Sequence, residues 1–253
     1  MKDFRLLGIE INPQNRQQIL EHIKKYLINP HGNLRIVSLN PEILVLAGEN
    51  PEFKRVIETS QIQHIDGVGV VLAGRLLGIE FERITGVDLM SELVKLADKL
   101  RLRVVLIGGR KNLALQLAKC YSQAYAQARF KGIQGIKNIA KPAIFEEKRV
   151  FSIVADFKPH IVFTAFGSPW QELWLERHKS RFTDIVVMGV GGAFDFATGL
   201  IPRAPKTIRL IGLEWLFRLT VEPWRWKRQL NLIKFVYLVA RQKLRLKNPL
   251  KFA

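Results

Sequence analysis

The sequence predicts an α/β fold: a parallel sheet with helices on both faces, followed by a basic helical C-terminal appendage. Three observations carry that expectation. Short apolar runs such as Ile161 to Ala165 and Ile185 to Met188 are nearly unbroken, which suits strands covered on both faces. Each run breaks into glycine and polar residues before a segment with helical spacing, so strands alternate with helices along the chain. From Arg203 to Ala253 the composition changes, with 13 Lys and Arg against two acids, Glu214 and Glu222, so this stretch carries +11 of the net charge of +18.

The 253 residues, 48% of them apolar, are enough for one large domain with an appendage, divided as 1–200 and 201–253. A single cysteine, Cys120, excludes an intramolecular disulfide and a cysteine zinc cage, which fits a reducing, cytoplasmic setting. The N-terminus carries Asp3 and no long apolar run, so it reads as a first strand over residues 4–11 and not as a signal peptide or spanning helix.

A helix is expected from Asn12-Pro13 to about Leu27, with Ile19, Ile23 and Leu27 at four-residue spacing. Leu34 to Leu39 is the next strand, and a helix opens near Ile43, so Ser38 and Asn40 fall between a strand's end and a helix start. There they either cap the helix or meet a ligand. Gln61 to Asp66 followed by Gly67 to Val71 repeats the pattern, with a carboxylate at the strand tip. Asp66 is the candidate general base, because a carboxylate beside glycine backbone can reach an acceptor hydroxyl; helix capping is the competing role. Arg83 lies in the loop before a helix from Asp88 to about Leu100 and is placed to clamp a phosphate.

Arg103 to Gly109 is a strand ending in paired glycines, Gly108 and Gly109, half of a dinucleotide fingerprint that could hold a diphosphate through backbone N–H groups. Gly132 to Gly135 reads as a loop, and a helix near Phe145 to Phe157 leads to the two glycine-ending strands named first. After those strands, Gln171, Glu172 and Asp195 supply polar groups, and Gly189, Gly191 and Gly192 let a ligand approach the backbone. No D-x-D, HExxH, GxxxxGK[ST] or GxSxG occurs, and the five histidines show no ligand spacing, so no protein-held metal and no cofactor are expected.

In the appendage Trp215, Trp224 and Trp226 sit among Arg218, Arg225 and Arg228, a pairing that suits an anionic membrane surface. Pro223 should divide two helices, the second running from Gln229 to about Leu246 and too short in its apolar part to span a bilayer. Aromatic and basic residues also occur in single-strand nucleic-acid binders, yet no RNP-type, helix-turn-helix or KH signature accompanies them, so no specific nucleic acid is expected.

Ser38-Leu-Asn-Pro-Glu42, Asp66-Gly-Val-Gly69, Arg83-Ile-Thr-Gly86, Phe166 to Glu172, Gly189 to Asp195, Arg203-Ala-Pro205 and Gly212 to Trp215 through Glu222-Pro223 together resemble the WecG/TagA/CpsF family of bacterial glycosyltransferases, in order and nearly end to end. The resemblance implies a Rossmann-like fold and a metal-independent, inverting enzyme. Its reaction would move an N-acetylmannosamine-type sugar from a UDP donor to polyprenyl-diphosphate-linked N-acetylglucosamine, in teichoic acid or surface polysaccharide synthesis. It further implies Asp66 as base, Ser38 and Asn40 as an acceptor-side pair, Gln171 as a sugar or substrate contact, and Arg83, Arg218, Arg225 and Arg228 as diphosphate contacts. The latter three would come from an appendage closing over the site at the inner face of the membrane. Self-association is implied too. The alternatives are the same fold with another UDP-sugar, such as glucose or a mannosaminuronic acid, and a non-catalytic nucleotide- or nucleic-acid-binding protein, which pI ≈ 10.3 would favour.

Overall fold

Residues 4–110 and 112–247 are described by the computed structural model. Phe4–Leu6 (β1) and Ile9–Ile11 (β2) pair antiparallel around Leu7 and Gly8, whose φ values are 55° and 77°. The expected first strand is therefore a hairpin: two left-handed central residues give a turn whose twist matches its strands, and glycine takes that conformation freely. Arg16–Ile28 (α1) begins later than expected because Asn15 caps it, accepting from the Gln18 N–H while the Gln18 side chain accepts from the Asn15 N–H. After Asn33–Leu39 (β3), Asn40 caps Pro41–Glu49 (α2) and Asn50 caps Pro51–Glu58 (α3). The third helix has no counterpart among the expected elements, although the repeated Asn-Pro pair is a cap followed by a first-turn proline both times.

The remaining core elements are Ile62–Ile65 (β4), Val68–Leu76 (α4), Gly86–Lys99 (α5), Arg103–Gly108 (β5), Leu113–Ala124 (α6), Arg129–Ile133 (β6), Ile144–Phe157 (α7), Ile161–Ala165 (β7), Trp170–Arg177 (α8), Ile185–Gly189 (β8) and Ala193–Ala197 (α9). Gly132, expected in a loop, lies inside β6. The backbone of Ala114 and Leu115 in α6 runs directly against it and leaves no room for a Cβ.

Six strands form one parallel sheet in the order β4-β3-β8-β7-β5-β6. Alternation along each strand feeds both faces. In β5, Val104 and Leu106 join the core under α1, α5, α6 and α9, whereas Val105 and Ile107 face α7 and α8. The Rossmann-like arrangement with helices on both faces is thus the observed one. The helix after β3 (α2) packs on one face and the helix after its neighbour β8 (α9) on the other. Where adjacent strands send their chains to opposite faces, a crevice opens at their carboxyl ends.

The appendage consists of Lys206–Leu210 (α10), Glu214–Val221 (α11) and Trp226–Lys247 (α12), with Pro223 starting a 3-10 turn that separates α11 from α12. Phe235 and Val239 of α12 are buried in the core formed with α2, α3 and α4. Full burial of such side chains stabilises docking by about 1.5–3 kcal/mol each. Lys234 pairs with Glu49, and the Gln242 side chain accepts from the Leu7 N–H at 2.8 Å and donates to the Arg5 carbonyl at 2.8 Å. Among the described residues no helix is long and apolar enough to cross a membrane.

Candidate active site

At the carboxyl ends of β3 and β4 the chain brings Ser38, Asn40, His64 and Asp66 together. The Asp66 N–H donates to the Leu39 carbonyl at 2.9 Å, fixing the strand tip, and one Asp66 carboxylate oxygen accepts from the Gly86 N–H at 3.2 Å in the first turn of α5. The other oxygen accepts no hydrogen bond from the described residues. Ser38 lies opposite His64 in the β3–β4 register, with its Oγ 3.0 Å from His64 Nε2; His64 Nδ1 lies 2.9 Å from the Ile84 carbonyl. Ser38 also faces Gly86, since a Cβ there would lie 3.6 Å from the Ser38 Oγ. Asn40 spends its side-chain oxygen capping α2, accepting from the Ile43 N–H at 2.9 Å. Its amide NH₂ donates to none of the described residues.

The appendage grips this loop. Arg83 donates through Nε to the Asp66 carbonyl at 2.9 Å and through a terminal nitrogen to the Arg209 carbonyl at 3.0 Å, and it lies 3.8 Å from Glu214. Its guanidinium therefore ties the Asp66 loop to α10 and α11. Arg203 reinforces the same junction, pairing with Asp88 at 2.7 Å and Glu214 at 3.3 Å. Burial pushes the Asp88 carboxyl up, but the Arg203 and Thr85 hydrogen bonds outweigh it and leave the carboxyl below its ordinary value.

A second cluster lies at the ends of β5 and β8. Glu222, 2% exposed, takes Arg218 at 2.7 Å, Arg110 at 2.8 Å and Arg225 at 3.4 Å, while Arg110 also meets Asp195 at 3.0 Å. The Arg218 guanidinium also lies over the Phe196 ring, 4.7 Å from its centroid. Gly192 makes this possible, because a Cβ at that position would collide with the Arg218 guanidinium. Three guanidinium groups against two carboxylates leave a surplus positive charge. Burial, followed by Arg218 and Arg228, pulls the Arg225 guanidinium down to about 10. Burial pushes the Asp195 carboxyl up, against the pull of Arg110 and Arg218. An incoming anion would relieve the crowding of like charges. Arg228 adds its charge from beside the cluster and pairs with Glu42 at 3.5 Å, not with Glu222.

Gln171 is 3% exposed and fully engaged. Its oxygen accepts from the Gly167 N–H at 3.1 Å and the Gly191 N–H at 3.2 Å, and its NH₂ donates to Ser168 at 3.3 Å and Glu172 at 2.7 Å. It clips the loop after β7 to the loop after β8. Gly189 is glycine because that clip passes within 2.6 Å of where its Cβ would be. Gly108 and Gly109, at φ 93° and 79°, turn the chain away from β5 beneath Phe166 and beside Leu113 and Phe194.

The structure thus gathers Ser38, Asn40, Asp66 and Arg83 at one strand pair and Arg218 and Arg225 at another, and it gives Gln171 and Gly189 internal partners. Sequence reasoning gave no role to Arg110, Glu222 or His64; the available signals were Arg110 following the paired glycines directly and Glu222 standing in the Glu222-Pro223 motif as one of two acids in the basic appendage. Cavities of about 350 Å³ and 570 Å³ open where strands begin, lined by Arg103, His160 and Asp184 in one and by Tyr26, His31 and Asn33 in the other. Neither contains any of the expected site residues. Among the described residues no group of three or more His, Cys, Asp or Glu is arranged to hold a metal ion.

A parallel sheet with polar side chains gathered at its carboxyl ends defines the class: an α/β enzyme of the Rossmann-like type. The model of the glycosyl transferase WecG/TagA/CpsF family matches residues 4–249, and the chain belongs to that family of glycosyltransferases. Over 229 residues it is 30% identical to the N-acetylglucosaminyldiphosphoundecaprenol N-acetyl-beta-D-mannosaminyltransferase of Bacillus subtilis (strain 168), covering 90% of this chain and 87% of that one. The enzyme of the same name from Bacillus spizizenii is 31% identical over 221 residues, covering 87% and 84%. That from Staphylococcus aureus (strain NCTC 8325 / PS 47) is 30% identical over 244 residues, covering 96% and 94%.

Proposed function

We propose that this glycosyltransferase moves N-acetylmannosamine from a UDP donor to polyprenyl-diphosphate-linked N-acetylglucosamine, by a single inverting displacement that uses no metal ion. The observation that carries the reading is the Asp66 carboxylate, anchored through one oxygen to the Gly86 N–H with its other oxygen unengaged. The substrate pair rests on the names of the relatives.

In this reaction the unengaged Asp66 oxygen takes the proton from the acceptor hydroxyl. The hydroxyl oxygen attacks the anomeric carbon as the bond to the UDP oxygen breaks on the opposite face, so configuration inverts. Arg110, Arg218 and Arg225 are the groups for the departing diphosphate, doing electrostatically what a cation does elsewhere. Ser38 and the free Asn40 NH₂ orient the acceptor sugar. Peripheral attachment to the inner face of the cell membrane fits the exposed side chains of Trp224, Trp226, Leu230 and Ile233 beside Lys227 and Arg228.

The test is incubation of purified protein with UDP-N-acetylmannosamine and a lipid-diphosphate-linked N-acetylglucosamine in a chelator. A product heavier by one N-acetylhexosamine supports the reading. Transfer from UDP-glucose alone would reassign the donor, and dependence on a divalent cation would overturn metal independence.

A further inference from the structure

His64 is fully buried on β4, between the Ser38 Oγ at 3.0 Å and the Ile84 carbonyl at 2.9 Å. A neutral imidazole carries one N–H and one bare nitrogen, and a carbonyl oxygen can only accept. Burial holds the ring below its ordinary value and hence neutral; the nearby Asp66 charge and the Ile84 carbonyl favour the charged form, but burial outweighs them. The single proton must therefore sit on Nδ1, facing Ile84. The Nε2 atom is bare, and the Ser38 O–H is committed to it.

We infer that His64 is a positioning residue that fixes Ser38 as a hydrogen-bond acceptor, so that Ser38 takes a hydroxyl or acetamido N–H of a sugar and turns away phosphate oxygens. The substrate half of this inference rests on the sugar-transfer reading above. With its hydrogen committed to His64, the Ser38 oxygen offers lone pairs alone, so a ligand that bonds to it must supply the hydrogen. Phosphate oxygens at neutral pH have none to supply, so a sugar diphosphate is oriented with its sugar at Ser38 and Asp66. The carbonyl that holds His64 belongs to Ile84, whose N–H donates to the Ile65 carbonyl at 2.8 Å, so the tautomer is set by backbone that pairs with β4 itself.

The tautomer is read directly by nitrogen–proton correlation NMR on the full-length protein with labelled histidine, using His64→Gln to assign the signal. A pyrrole-type Nδ1 and pyridine-type Nε2, unchanged between about pH 6 and 8, is the expected spectrum. An Nε2–H tautomer, or a ring that takes a second proton in that range, overturns the inference. This spectrum needs no substrate, so its failure is separate from an inactive wild-type protein, which would instead sink the transferase reading.

Turnover supplies the second arm. Ser38→Ala and His64→Leu each lower kcat/KM about tenfold, the loss expected of one hydrogen bond to substrate. The double variant is no more than about twofold worse than Ser38→Ala, because residues acting through one another do not add. An additive loss of about a hundredfold would show that His64 acts independently of Ser38. His64→Gln, which keeps one acceptor and one donor in the same plane, retains activity within about threefold and guards against misfolding of the leucine variant.

Discussion

Glu222 and Arg110 stand 112 residues apart in the chain and meet at 2.8 Å. This pair joins the end of α11 to the loop after β5 and makes a carboxylate of the appendage the counter-charge for an arginine of the core. With Arg218 and Arg225 on the same carboxylate, Glu222 holds the cationic cluster together in the absence of substrate.

Glu222→Gln leaves these guanidinium groups without their shared partner. Breaking a buried pair from one side costs about 3–5 kcal/mol when both ions are enclosed, and less here because the Arg110 side chain is 51% exposed. Limited proteolysis with mass readout is expected to show cleavage between the core and α12 at least about tenfold faster than in the wild type. Unchanged protection would mean that Phe235 and Val239 alone hold the appendage.

The same carboxylate sets a pH dependence. Burial pushes Glu222 up, but Arg218, Arg225 and Arg110 outweigh it, so its folded value lies below the ordinary 4.5. A released Glu222 then binds more protons than a docked one, and docking is favoured above about pH 4.5 and lost as pH falls through the folded value. Asp195 shifts the other way, takes its proton earlier on acidification, and gives up its hold on Arg110 first. Proteolytic release of α12 should rise below about pH 4.5 in the wild type and show a flatter profile in Glu222→Gln.

Gly192→Ala tests the space the cluster needs. A methyl group there collides with the Arg218 guanidinium, which must leave Phe196 and Glu222. Activity should drop about tenfold or more while the thermal midpoint of the core moves little, since the collision is with the end of a flexible side chain. Retained activity would remove Arg218 from the diphosphate contacts.

Deleting residues after 200 uncovers the α2 and α4 surface that Phe235 and Val239 occupy. The truncated protein is expected to fold, to lose transfer activity and to stop sedimenting with anionic vesicles, each basic side chain near such a surface being worth about 1 kcal/mol. Trp224→Ala with Trp226→Ala should weaken vesicle binding without affecting turnover of a water-soluble acceptor. Full activity of the truncated chain would contradict a closing role for the appendage.

The strands β5, β7 and β8 are legible because burial on both faces makes them nearly continuous apolar runs. β3 and β4 carry polar residues within them, Arg35 and Ser38 in one and Gln63 and His64 in the other, and are legible from the turn residues that follow; Ser38, Asn40 and Asp66 are legible because they stand at those strand ends. The edge strand β6 is not, since its residues Arg129 and Lys131 are exposed and only Gly132 and Ile133 are buried. The pairs Glu222–Arg110 and Ser38–His64 leave no trace in any local spacing; they exist because the sheet order and the appendage bring distant segments together. His64 in particular carries no sign, along the chain, that its partner is one strand over. Arg83 shows the converse, a loop arginine expected at phosphate whose donors are directed to the Asp66 and Arg209 carbonyls.

Asp66→Asn is the most direct test of the central claim, because the amide keeps an oxygen for the Gly86 N–H and loses only the basic oxygen. With a soluble lipid-diphosphate acceptor, kcat should fall about 10²–10⁴-fold while the Kd for UDP stays within about twofold of wild type. Equal loss of turnover and UDP binding would make Asp66 a structural residue and contradict its role as base.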